Sequence, residues 1–120
     1  MTAQELIAWR ERLGLTQPQA AFALGVSLRG YQKREADGAP IDREAELATR
    51  YLEEHPDELP WQVRTGGVSG AVLFNAKERA TSFAIDVVAG GVSNVQVRQL
   101  GPAGSVIEHA EIVALRDQLS

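Results

Sequence analysis

The stretch from residue 16 to residue 35 contains two short helical segments separated by one glycine-containing turn. Thr16 is a good N-cap, and Gln19 completes a Thr-x-x-Gln capping box, which fixes the start of the first segment. Gly25 permits a tight turn, and Ser27 caps the second segment. The spacing therefore predicts a helix-turn-helix, the unit that many DNA-binding proteins place in the major groove.

Helical signals continue on both sides of this stretch. Thr2 and Glu5 form a second capping box, and Asp42 caps a helix that is predicted to run to about residue 54, before Pro56. The apolar stripes expected to face the core are Leu6, Trp9 and Leu13 in the first helix and Ala45, Ala48, Tyr51 and Leu52 in the last. The first half of the chain is therefore predicted to be all-α.

Several residues in this half fall in one register: Leu13-Gly14-Leu15-Thr16-Gln17, Ala21, Gly25-Val26-Ser27, Tyr31, Glu35, Gly38 and Pro40. In this register the chain resembles the lambda-repressor-like helix-turn-helix family, of the Cro/repressor or xenobiotic-response-element type. The resemblance covers about residues 3–55. It implies a bundle of four or five helices that binds double-stranded DNA through a recognition helix over residues 27–35, with Tyr31 buried.

The resemblance also implies the site residues. The base-contacting positions fall on Leu28, Arg29, Gln32 and Lys33. Arginine and lysine suit guanine, glutamine suits adenine, and Leu28 offers only apolar contact in place of the more usual polar residue. Phosphate contacts are expected from Gln17, Ser27 and Arg34, with a solvated side chain as the alternative for Arg34. Arg10 and Glu35 match an ion pair of some family members, which we expect to be structural.

Charge is distributed unevenly along a chain whose net charge is −4. Residues 9–34 contain five basic side chains and one acidic side chain, whereas residues 35–60 contain two basic and nine acidic side chains. A local basic region in an acidic chain fits a DNA-binding protein that avoids non-specific binding. The alternative is that the acidic residues only solvate a helix face.

The pattern changes after residue 60. Residues 56–60 are predicted to be a linker without regular structure, and residues 61–120 a small antiparallel meander of three to five strands. The strands are expected at residues 70–74, 81–88, 94–100 and 106–113. Phe83, Ile85 and Val87 alternate with more polar residues, the last ten residues also fit a helix, and we find no internal repeat. The predicted fold class is α+β, with a helix-turn-helix domain at residues 1–55 and a β-rich domain at residues 61–120.

Other chemistry finds little support. The chain has no cysteine, and its two histidines, His55 and His109, lack metal-ligand spacing, so we expect no metal, no cofactor and no catalytic residues. No apolar run is long enough to span a membrane, and the first residues lack the apolar core of a signal peptide. A cytoplasmic protein is therefore expected.

These observations predict a bacterial or phage transcription regulator, expected to be a repressor. One helix-turn-helix contacts too few base pairs for specificity against a genome, so residues 61–120 are expected to form a homodimer on a pseudo-palindromic operator. Two alternatives stay open for this second half. It binds a partner protein, as in an antitoxin that autoregulates its operon, or it binds a small effector.

Overall fold

The computed structural model describes residues 1–36, 41–65, 71–102 and 104–119. Gly38 and Pro40 of the family register, and Gly70 of the first predicted strand, lie outside the described residues. The fold is α+β, as predicted. The chain forms two compact units, the first made of Met1–Leu59 with Leu100–Ala103, and the second of Pro60–Gln99 with Gly104–Ser120.

In its described residues, the first unit contains four α-helices: α1 (Ala3–Arg12), α2 (Gln17–Leu24), α3 (Leu28–Ala36) and α4 (Arg43–Glu54). The predicted capping boxes at Thr2 and Thr16 are both complete. Asp42 Oδ1 accepts a hydrogen bond from the Ala45 N–H at 2.8 Å. These caps satisfy N–H groups that the helices themselves leave unpaired, so the sequence signals and the helix starts agree.

The core of the first unit contains Trp9, which is fully buried as predicted. Its Nε1–H donates to the backbone oxygen of Thr49 at 2.9 Å, which ties α1 to α4. On α4 the buried side chains are Thr49 and Leu52, whereas Tyr51 is 49% exposed and stacks on His55. The prediction that Tyr51 lies in the core is wrong, because a helix that turns Thr49 and Leu52 inward carries Tyr51 toward solvent.

Residues 56–60 are predicted to lack regular structure, but Pro56–Glu58 forms a short 3-10 helix. Leu59 follows it and is only 1% exposed. Gly101 has φ +106°, and a Cβ at that position would lie 2.5 Å from Leu59 Cδ1. The close approach of Leu59 to the backbone therefore requires glycine at position 101.

The part of the second unit that the structure describes contains four strands and two helices: β1 (Trp61–Arg64), β2 (Ala71–Phe74), α5 (Lys77–Ala89), β3 (Gln96–Gln99), β4 (Val106–Ile107) and α6 (His109–Leu119). The sheet order is β2-β1-β3-β4, and neighbouring strands are antiparallel. The strand number and direction agree with prediction. The predicted meander is wrong, because α5 separates β2 from β3 along the chain and β3 pairs with β1.

The predicted strand at residues 81–88 is wrong, since this segment lies within α5. Ala80, Ala84 and Val88 follow helical spacing and are buried against the sheet, whereas Phe83 and its alternating neighbours are only partly buried. Because most positions in this segment are small or apolar, the sequence fits both the two-residue period of a strand and the 3.6-residue period of a helix. Packing against the sheet favours the helix. The predicted strand at residues 106–113 is correct only for β4, because α6 begins at His109 and buries Ile112.

The second unit also contains a duplication that contradicts the expected absence of an internal repeat. A hairpin followed by a helix occurs twice, as β1-β2-α5 and as β3-β4-α6. Gln62-Val63-Arg64 in β1 recurs 34 positions later as Gln96-Val97-Arg98 in β3. Because β1 and β3 pair antiparallel with Val63 opposite Val97, the two copies meet about a local two-fold axis.

The hairpins are not identical, and the difference lies in their outer strands. Val72 and Val106 have the same spacing of 34 residues, but Val72 pairs with Val63 whereas Val106 pairs with Arg98. The register has shifted by one residue, which turns the two valines to opposite faces of the sheet.

Candidate nucleic-acid interface

The turn between α2 and α3 has its geometry fixed by backbone hydrogen bonds. Gly25 adopts φ +72°, in the left-handed region that favours glycine, and Val26 N–H donates to the Ala21 oxygen at 3.0 Å. Ser27 Oγ then accepts from the Gly30 N–H at 3.0 Å at the start of α3. The angle at which α3 leaves the turn is therefore set locally.

Tyr31 is fully buried and determines which face of α3 points outward. The four predicted base-contacting residues are all exposed: Leu28, Arg29, Gln32 and Lys33. Leu28 and Gln32 are four positions apart, as are Arg29 and Lys33, so the four side chains share one helix face. The structure thus brings together a hydrophobic, an amide and two cationic side chains, here called the α3 face.

Behind the α3 face, Glu35 accepts hydrogen bonds from two other segments of the first unit. Arg10 Nε and Nη2 donate to its two carboxylate oxygens at 2.8 and 3.3 Å, which forms the predicted ion pair. Gln17 Nε2 donates to the same carboxylate at 2.9 Å. The Glu35 side chain is only 6% exposed, so this bidentate pair fixes the end of α3 against α1 and the start of α2.

The pair also governs the titration of the groups around it. Burial raises the pKa of Glu35, but hydrogen bonds from Arg10 and Gln17 outweigh it and hold this pKa below its ordinary value. The hydrogen bonds to Glu35 raise the pKa of Arg10. Burial, followed by the neighbouring Glu35 carboxylate, raises the pKa of Tyr31, whose hydroxyl lies beside the pair. Glu35 is therefore ionised, and Tyr31 neutral, near neutral pH.

Gln17 links this buried pair to the α3 face. Gln32 Nε2 donates to Gln17 Oε1 at 3.3 Å, so the two glutamines are hydrogen-bonded at the surface. The side chain of Gln17 retains one amide hydrogen, and its backbone N–H lies in the first turn of α2, where no helix carbonyl is available to accept it. The phosphate contact of Gln17 stays a prediction. No local signal predicted its bond to Gln32, because 15 residues separate the two.

The remaining predicted phosphate contacts differ in position. Ser27 is exposed at the start of α3. Arg34 instead points toward the start of α4, where its Nη2 lies 4.0 Å from the Asp42 carboxylate. Its Nη1 is buried and makes no hydrogen bond to any residue that the structure describes. Arg34 thus does not belong to the α3 face, and its phosphate contact stays a prediction.

Ion pairing reduces the positive charge that the sequence count indicates. Arg10 pairs with Glu35, and Arg12 pairs with Glu53 at 2.8 Å. Among the described residues, the guanidinium of Arg29 and the ammonium of Lys33 make no ion pair. The cations of this region that are available to a polyanion therefore lie on the α3 face.

No protein-family model, curated protein or solved structure matches this chain. Across the described ranges, no helix is both long enough and apolar enough to cross a membrane. In the same ranges no three His, Asp or Glu side chains cluster in a way that could hold a metal ion. The geometry of the first unit is thus the basis for a functional proposal.

Proposed function

We propose that the protein is a sequence-specific DNA-binding transcription regulator, a dimeric repressor that inserts α3 into the major groove of a pseudo-palindromic operator. The observation that carries the proposal is the α3 face, on which Arg29, Gln32 and Lys33 are exposed together while Tyr31 is buried behind them. The operator is bacterial or phage DNA, so we also infer a cytoplasmic location.

The chemistry of the α3 face fits base readout. The major groove admits one α-helix, and each base pair presents a distinct pattern of donors and acceptors there. Arg29 and Lys33 supply donors for guanine O6 and N7, Gln32 supplies the donor and acceptor that adenine requires, and Leu28 can contact a thymine methyl group. A face with these side chains therefore discriminates among bases.

Backbone contacts would position the helix. The first turn of α2, with Gln17, and the start of α3, with Ser27, both present N–H groups that favour a phosphate oxygen. Gln32 is hydrogen-bonded to Gln17, so a base-reading side chain and a phosphate-binding side chain are mechanically connected. Such a connection would make readout by Gln32 depend on correct docking of α2 on the backbone.

Two α3 helices are needed for useful specificity, and we assign the second unit to dimerisation. A two-fold dimer that sets the helices about 34 Å apart would contact successive major grooves on one side of the duplex. Binding of a different protein by the second unit, as in an antitoxin, is the competing proposal. The oligomeric state of the full chain decides between them.

Base readout is tested with single variants on DNA fragments selected from a random pool. Arg29→Ala and Lys33→Ala should each weaken binding by about 1–3 kcal/mol and relax the preference at particular base positions. Gln17→Ala should weaken binding about equally for all sequences. Arg98→Ala is the matched control, because it removes an exposed arginine from the second unit. If Arg29→Ala behaves like Arg98→Ala, α3 is not the recognition helix.

Salt dependence supplies a second test. Phosphate neutralisation releases counterions, so log K should fall linearly with log salt concentration. If each protomer contacts about three or four phosphates, the slope for a dimer should be on the order of −6. A slope near zero would exclude DNA binding.

A further inference from the structure

Strand β2 forms one outer edge of the sheet. Within the described residues it pairs with β1 on one side, and its other side carries no strand. The outward backbone N–H and C=O groups of an edge strand are a template for pairing with another strand. Proteins that stay monomeric usually protect such an edge by charge, proline or shortness.

The two edges of this sheet differ in protection. Strand β4 is two residues long and is followed by Glu108. Strand β2 is four residues long and reads Ala-Val-Leu-Phe, with no charged residue and no proline. Val72 lies opposite Val63, on the face that the helices cover, yet it is 46% exposed. The β2 edge is therefore apolar and unprotected.

We propose that β2 pairs antiparallel with β2 of a second copy of this chain, which joins two sheets of four strands into one of eight. The proposal rests on the proposed function, which requires a dimer, and names its interface. A second copy is favoured over a foreign strand because β2 is self-complementary. When it pairs with itself about a two-fold axis, apolar residues oppose apolar residues and no like charges meet.

The molecule already contains this type of contact. Strands β1 and β3 are copies of one sequence that pair antiparallel about a local two-fold axis. With the new axis perpendicular to the sheet at Val72, each Val72 lies opposite the other, and the helices of both protomers cover the same side. The half-exposed valine then gains the neighbouring strand that it lacks in one protomer.

Disulfide trapping tests the register directly, because the chain has no cysteine. Opposite residues in antiparallel strands have Cα atoms about 4.5–5.5 Å apart, within the range of a disulfide. Full-length Val72→Cys should therefore form a covalent dimer under mild oxidation. Val106→Cys is the matched control, since Val106 is 41% exposed on the other edge. Equal cross-linking of the two variants, or none at Val72→Cys, would overturn the proposal.

Charge substitution tests the energetics. Val72→Lys places two ammonium groups opposite each other and should raise the dimer dissociation constant at least about tenfold in sedimentation equilibrium, whereas Val106→Lys should not. Circular dichroism shows whether each variant is folded. If Val72→Lys is unfolded, the cysteine variants supply the test of the interface. A folded Val72→Lys that dimerises like the parent chain would contradict the assignment.

Failure of this interface and failure of the proposed function give different results. If Arg29→Ala loses DNA binding but Val72→Cys stays monomeric on oxidation, DNA recognition stands and the β2 interface is wrong. If Val72→Cys cross-links but Arg29→Ala binds DNA like the parent chain, the interface stands and the recognition assignment is wrong.

Discussion

In the first unit each of the four α-helices begins at a side chain that accepts a backbone hydrogen bond, whereas α5 in the second unit begins at Ala76 without one. The first unit also contains the Arg10–Glu35 pair, while the hydrophobic cluster that the second unit builds around its sheet contains no ion pair. Named polar contacts define the position of each helix in the first unit. In the second unit, position is defined mainly by what packs against the sheet.

The two units are therefore sensitive to different changes. A polar contact has a fixed geometry, so its loss displaces a particular helix. Where the contact is between charges, it also makes the stability of the unit depend on pH and salt. Apolar packing is less directional, so a second unit of this kind tolerates local change but leaves apolar surface at its edge. The two proposed roles, DNA recognition by the first unit and association by the second, thus fit the interactions that stabilise each unit.

Core truncation should give the largest effects in both units. Leu6→Ala in the first unit and Ile112→Ala in the second each remove a fully buried side chain, at a cost of about 2–5 kcal/mol in the free energy of unfolding. The two tryptophans, Trp9 and Trp61, lie one in each unit, so single-tryptophan variants report each unit in urea denaturation. Each truncation should shift mainly the transition of its own unit. Equal shifts of both transitions would show that the units unfold together.

Loss of the ion pair should follow in size. Glu35→Ala leaves the guanidinium of Arg10 without its carboxylate, and we expect a cost of about 2–3 kcal/mol to the first unit, since Arg10 is partly exposed. The double variant Arg10→Met/Glu35→Leu should cost less than the sum of the costs of Arg10→Met and Glu35→Leu alone, because no unpaired charge remains. Additive costs in this double-mutant cycle would show that the pair contributes no coupling.

Acid should weaken the first unit through the same residue. The pKa of Glu35 is lower in the folded than in the unfolded chain, so its contribution is present above the unfolded value, near 4.5, and is lost as pH falls through the folded value. Stability reported by Trp9 should therefore fall below about pH 4.5 more steeply in the parent chain than in Glu35→Gln. Parallel pH profiles for the two proteins would assign acid sensitivity to other groups.

The smallest expected effect concerns Gly30 in α3. Alanine should stabilise a helix interior by about 1 kcal/mol over glycine, but a Cβ at position 30 would lie 3.0 Å from Ser27 Oγ, which caps the helix. Gly30→Ala should therefore stabilise less in the parent chain than in Ser27→Ala, a change that itself costs about 1 kcal/mol. Thermal denaturation of the four proteins measures this coupling, and identical effects in both backgrounds would contradict it.

Local signals explain why the first unit was largely predictable from sequence. Thr2, Thr16, Ser27 and Asp42 each accept from an N–H three positions away, so a short window contains both partners. The outward position of Tyr51 was not predictable in this way, since Thr49 takes the inward position by donating its hydroxyl to the Glu46 oxygen. A polar residue that satisfies itself within a helix can be buried, and periodicity alone does not show it.

The second unit was predictable in class but not in detail. Phe83, Ile85 and Val87 alternate as in a strand, while Ala80, Ala84 and Val88 repeat as in a helix. Whether this segment forms a strand or a helix depends on whether it packs on a sheet, and that is decided by tertiary structure. The recurring Gln-Val-Arg was available in the sequence and would have indicated a duplicated hairpin.

The candidate site divides in the same way. The exposure of Arg29 and Lys33 follows from the register of α3, and the Arg10–Glu35 pair follows from the family resemblance. The hydrogen bond from Gln32 to Gln17, and the turn of Arg34 toward Asp42, depend on how helices pack. Sequence therefore identified the polar side chains that could contact a ligand. Helix packing decided which of them already contact another side chain of the protein.

The segment Leu100–Ala103 belongs to the first unit although the chain before and after it belongs to the second. In it, Gly101 accommodates the buried side chain of Leu59. A gene fusion or recombination event with one junction near residue 60 would transfer α1 to α4 without this segment and leave Leu59 uncovered. The first unit of this protein is thus not a transplantable cassette, and it must be inherited together with the hairpin that supplies its last residues.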